Sequence, residues 1–102
     1  MTDITVRRSV SADYRELERL AALDSARPPR GPALIAEADS RMLAALPLGS
    51  GRPIADPFEP TAEIVALLHL RAEQLRDENR ESRGVLERVR SLLRARPSHA
   101  RA

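Results

Sequence analysis

Few side chains in this sequence belong to types that do chemistry, and their spacing narrows what they can do. There is no cysteine, which removes thiol nucleophiles, disulfides and zinc ribbons. His69 lies between Leu68 and Leu70, with His99 as its one distant fellow, so it reads as a buried or boundary helical residue, not a metal ligand or base. Asp56 and Glu59 have the types of an acid–base pair. Flanked by Pro57 and Pro60, they fit a turn and a helix start better, where short acids bond the local backbone and favour the helix dipole. Tyr14 falls on an apolar helical stripe and is expected in the core. No residue is assigned as catalytic, cofactor-binding or metal-binding.

All 17 basic residues are arginine, against 15 acids, giving a net charge of +2. Arg27 and Arg30 flank Pro28-Pro29 in an exposed loop that could grip an anion or simply stay solvated. Arg83, Arg88, Arg90, Arg94, Arg96 and Arg101 form the densest basic patch. Glu81 and Glu87 dilute it and no aromatic is present for base stacking, so nucleic acid is not an expected partner.

The elements that must position these residues follow from periodicity. Ile4 to Arg8 alternates as a half-buried strand. Ser11 has the type of a helix N-cap, and Asp13 favours the first turn that follows. Tyr14, Leu17, Leu20 and Ala21 then mark an amphipathic helix to about Ser25. Arg27-Pro28-Pro29-Arg30-Gly31-Pro32 breaks it. Ala33 to Asp39 and Met42 to Leu48 predict a β-hairpin, with Pro47 at an edge or bulge. Pro53 to Asp56 is a third short strand, joined by links too short for a parallel crossover. Ile54-Ala55-Asp56 forms a sheet edge bracketed by Pro53 and Pro57.

From Pro60-Thr61 the chain turns strongly helical, with an apolar face of Ile64, Val65, Leu67, Leu68, Ala72 and Leu75. The stretch from Asp77 to Arg83 is polar, and Val85, Leu86, Val89, Leu92 and Leu93 then form a second apolar stripe. Two readings stay open. One is a single helix over 61–95, about 50 Å long at 1.5 Å per residue. The other is a helical hairpin broken near Asn79 to Gly84. In the first, Val65, Ala72, Asn79, Leu86 and Leu93 occupy heptad position a, with Leu68, Leu75, Ser82 and Val89 at d, and Asn79 can specify a dimer register. Polar Ser82, small Ala72 and Gly84 make the register imperfect.

The order strand, helix, three-strand meander, helix resembles the front half of the GNAT N-acetyltransferase superfamily. ITVRRSVSADYRELERLAALD, residues 4 to 24, looks like that family's opening strand and helix. ALIAEADSRMLAALPLGSGRPIADPF looks like its next three strands, with Ser40 where glycine is common. The likeness covers residues 4 to 76. It implies an Arg/Gln-x-x-Gly-x-Gly/Ala loop after the last of these strands, whose N–H groups hold acetyl-CoA. Here that stretch is Asp56-Pro57-Phe58-Glu59-Pro60-Thr61, without glycine and with two prolines and two acids. The family's remaining strands, and the tyrosine that often acts as general acid, have no counterpart.

The expectation is therefore an α+β protein: a short antiparallel sheet of about four strands, an N-terminal helix, and a long C-terminal helix or helical hairpin. A GNAT-like domain over 1–76 would carry an amphipathic extension over 77–96 and a disordered tail over 97–102. Its expected role is that of a catalytically silent interaction or regulatory module, with Val85, Leu86, Val89, Leu92 and Leu93 as contact face, no cofactor, and a second copy or another protein as partner. The alternative is an acyl-CoA-dependent N-acetyltransferase completed by a dimer or second chain. No signal peptide or membrane-length apolar run is seen, so a soluble, cytoplasmic protein is expected.

Overall fold

The structure, a computed structural model, describes residues 3–95. Strand β1 is Thr5–Arg8, α1 is Tyr14–Leu23, β2 is Ala33–Ala38, β3 is Arg41–Pro47, β4 is Ile54–Ala55 and α2 is Ala62–Ala95. The strands form one antiparallel sheet in the order β1-β2-β3-β4. This is the expected α+β class with its N-terminal helix, four-stranded sheet and long C-terminal helix. The chain divides into two compact units, Met1–Ala72 and Glu73–Ala102. The expected tail over 97–102, with His99 and Arg101, lies outside the described residues, as does Arg96.

In the first unit, α1 buries Leu17, Leu20 and Ala21 in a core with Ile35, Met42, Ala45 and Ile54. Met42 and Ala45 are three residues apart, and a regular strand would send them to opposite faces. Ala36 pairs with Ala44 and Glu37 with Met42, leaving Leu43 as the extra residue of a bulge. That bulge returns both side chains to the same core. The sheet's other face is closed as well: Leu34, Ala36, Ala38, Ala44 and Leu46 are buried, as are Leu68 and Ala72 from the first turns of α2.

The β2–β3 hairpin turns through Asp39 and Ser40, both at positive φ (50° and 62°), as a two-residue turn requires when its twist must match the strands. Pro47 ends β3 opposite Ala33. β4 pairs with Ala44 and Ala45 alone, so no strand calls on the N–H that Pro47 lacks.

The first helix starts differently from expectation. Ser11 lies in a 3₁₀ turn, Ser11–Asp13, and makes no cap bond. The Asp13 carboxylate instead accepts the Val10 N–H at 2.7 Å while gripped by both terminal nitrogens of Arg7 at 2.8 and 2.9 Å. The Nε of Arg7 also donates to Glu37 on β2 at 2.8 Å. One guanidinium thus ties β1, β2 and the start of α1 together, a fork geometry that lysine cannot reproduce. Tyr14, expected in the core, is half exposed (50%). It opens the helix one turn before the first buried residue, Leu17. Periodicity assigns a residue to a face without fixing where the covering layer ends.

In α2 the open question of helix or hairpin resolves to one continuous helix through Asn79 and Gly84. The glycine costs about 1 kcal/mol relative to alanine. Arg88 Nε donates to the Gly84 carbonyl at 3.4 Å, adding a side-chain bond over that turn.

The Arg7 network gives a pH prediction. The Arg7 guanidinium, with help from the Val10 N–H, holds the Asp13 carboxyl down at about 2, while Arg7 itself is pushed upward by its two acids. A carboxyl depressed on folding contributes stability in full above its unfolded value of about 4, and loses it as pH falls toward 2. Thermal unfolding followed across that window should show an acid slope that Asp13→Asn flattens. Arg7→Ala should destabilise the protein by about 2 kcal/mol at neutral pH.

Candidate functional site

Two places are candidates for a site: the turn from β4 into α2, and the outer part of α2. At the turn, Asp56 is fully buried. Its Oδ1 accepts the Phe58 N–H at 2.9 Å, its Oδ2 accepts Arg41 Nη2 at 3.3 Å, and its own N–H donates to the Leu43 carbonyl at 2.9 Å. Glu59 N–H donates to the Asp56 carbonyl at 3.3 Å, and the exposed Glu59 carboxylate lies 3.8 Å from Arg41. Asp56 and Glu59 are therefore turn-fixing residues, as their proline neighbours suggest. The free amides of Phe58 and Glu59 are engaged inside the turn, and Pro57 and Pro60 have none to offer.

The neighbouring sheet edge is closed too. Ala55 N–H donates to the Asp24 carboxylate at 3.1 Å. β4 has two residues only, and this amide cannot recruit another strand. Neither Asp24 as an edge cap nor Arg41 as the partner of Asp56 carries a sequence signal. Each meets its partner through tertiary structure, across 31 and 15 residues of chain.

Within the second unit the helix presents Val85, Leu86, Val89, Leu92 and Leu93, each between 45% and 69% exposed. Their spacing of one, three, three and one places all five on one side of the helix. Leu68 and Ala72, which the heptad reading put in the same seam, are already buried in the first unit. The exposed part of that heptad stripe therefore runs from Asn79 to Leu93. His69, expected at a boundary or buried, is exposed, although Leu68 and Ala72 on either side of it are buried.

Charges on this stretch divide into paired and unpaired. Arg80 pairs with Asp77, and Arg94 with Glu87 at 3.2 Å. Among the described residues, the side chains of Glu78, Arg76, Arg83 and Arg90 have no hydrogen-bond or ion-pair partner. The three arginines recur every seven residues, along one edge of the apolar face.

Among the described residues no cluster of His, Cys, Asp and Glu could hold a metal ion, and no helix is long and apolar enough to cross a membrane. Comparison with family models, with curated proteins and with solved structures finds no match to this chain.

The turn generates a stability prediction. Asp56→Ala leaves the Phe58 N–H without its acceptor and Arg41 without its buried partner, and should lower stability by about 2 kcal/mol. Asp56→Asn keeps one acceptor oxygen and should cost about half as much. Urea unfolding of the three proteins checks this ranking; an Asn variant as unstable as the Ala variant would contradict it.

Proposed function

We propose that this chain is a catalytically silent domain with a GNAT-like front half, and that it works as an interaction module by pairing its C-terminal helix with that of a second copy. The observation that carries this reading is the apolar face Val85, Leu86, Val89, Leu92 and Leu93, set on a helix that continues past Ala72, the last buried residue among those described. A solvated helix gains nothing from five large apolar side chains on one side. Burying them against another helix removes apolar area from water at about 25 cal/mol per Å².

Charge favours a parallel second copy. With Asn79, Leu86 and Leu93 at a, and Leu75, Ser82 and Val89 at d, Glu78 falls at g and Arg83 at e. A parallel, in-register pair sets Glu78 of each copy against Arg83 of the other, and both side chains are unpaired among the described residues. Asn79 meets its own equivalent at the seam. An antiparallel pair would instead face the row Arg76, Arg83 and Arg90 with the same row. The engaged amides of the Asp56 turn and the capped edge of β4 support a role that uses neither an acyl-CoA cofactor nor an added strand.

Three apolar layers, Leu86, Val89 and Leu93, make a short seam, so the pair should be weak and reversible. Sedimentation equilibrium should show the average mass climbing from monomer toward dimer as the protein is concentrated into the millimolar range. Leu86→Ser with Leu93→Ser should abolish the climb and leave the melting of the first unit unchanged. A wild-type chain that stays monomeric throughout would overturn the reading.

A further inference from the structure

A second feature, independent of the helix, lies at the end of the sheet that follows α1. Two loops, 25–32 and 47–52, enclose an open cleft of about 1020 Å³. Arg27 and Arg30 come from the first loop and Arg52 from the second, so the fold adds to the Arg27/Arg30 pair a third arginine from far along the chain. Among the described residues, no acid lines the cleft. Asp24, next to its first residue, is turned to the Ala55 N–H. Among the described residues, none of the three arginines has an ion-pair partner, whereas Arg7, Arg19 and Arg41 of the same unit all contact carboxylates.

The walls are held in place. The Leu48 N–H donates to the Pro32 carbonyl at 2.9 Å, joining the two loops, and the Ala26 N–H donates to the Ala21 carbonyl at 2.8 Å, fixing the first loop to α1. Pro28, Pro29, Pro32 and Pro47 limit the backbone further. At Gly51, with φ of 126°, an added Cβ would stand 3.3 Å from Pro47 Cγ, so the second loop closes tightly there. The three exposed guanidinium groups give the cleft walls a single sign of charge, which favours an anion there. Arginine forks suit the oxygens of a phosphate group, and Ser25 and Ser50 add hydroxyl donors.

We infer that this cleft binds a small, multiply charged anion of the phosphate class, such as a diphosphate group, through Arg27, Arg30 and Arg52. The volume leaves room for an organic body attached to that group.

Titration of the full chain with inorganic pyrophosphate, followed by amide and arginine Nε NMR shifts, tests this. Saturable shifts are expected at Gly31, Gly49, Ser50, Gly51 and the three arginines, with affinity falling about tenfold for each of Arg27→Gln and Arg52→Gln. The three arginines are exposed, so the variants should keep the wild-type fold, which the same spectra report. Arg83→Gln with Arg90→Gln serves as control and should leave the affinity unchanged. The inference is overturned if no saturable shift appears, if the cleft variants bind as wild type does, or if the control variant is the one that loses binding.

Discussion

A carboxylate removed from water must be met by donors, and the chain around Asp56 is arranged to supply them. Arg41 reaches it from the start of β3, the Phe58 N–H from the following turn, and the Asp56 N–H closes back onto Leu43, the extra residue of the β3 bulge. These bonds fix where β4 stops and the chain turns toward α2. The bulge they anchor on is what lets Met42 and Ala45 share the core beneath α1. The same bonds engage the amides that a phosphate-holding loop would present. Local geometry and the case against anion binding at this turn thus have one physical origin.

The long helix changes character along its length. Its first turns contribute Leu68 and Ala72 to the buried side chains of the first unit. Later turns repeat the apolar spacing with the side chains exposed. Arg80 and Arg94 are balanced within the helix, whereas Glu78 and Arg83 are not. Coulombic attraction between exposed charges is small, about 0.2 to 1 kcal/mol per pair, so it selects orientation more than it drives association. The apolar face would supply the driving force and the charges the register.

Much of the fold was legible because it rests on local rules. The alternation of Ile4 to Arg8, the hairpin run around Asp39-Ser40, and the three- and four-residue spacing after Thr61 each report a periodicity that tertiary structure preserved. What the sequence hid is long-range. Nothing near Asp24 announces a bond to Ala55, and nothing near Arg52 places it on the same cleft as Arg27. Tyr14 and His69 misled for a related reason: each lies on or beside an apolar stripe, and a stripe says nothing of how far its cover reaches. The helix-or-hairpin question turned on Gly84, whose cost of about 1 kcal/mol is too small to break a helix that neighbouring turns support.

The contact face itself was readable as a stripe. Its exposure was not, since the same spacing at Leu68 and Ala72 is buried. If the exposed half of α2 pairs in parallel with a second copy, the absence of cysteine allows a clean probe of that pairing. A single Ser82→Cys variant, at a d position of the free seam, should form disulfide-linked dimers under mild oxidation, while Ser91→Cys, on the outer face, should not. A Ser82→Cys protein that remains monomeric under those conditions, or that links no faster than Ser91→Cys, would contradict the account.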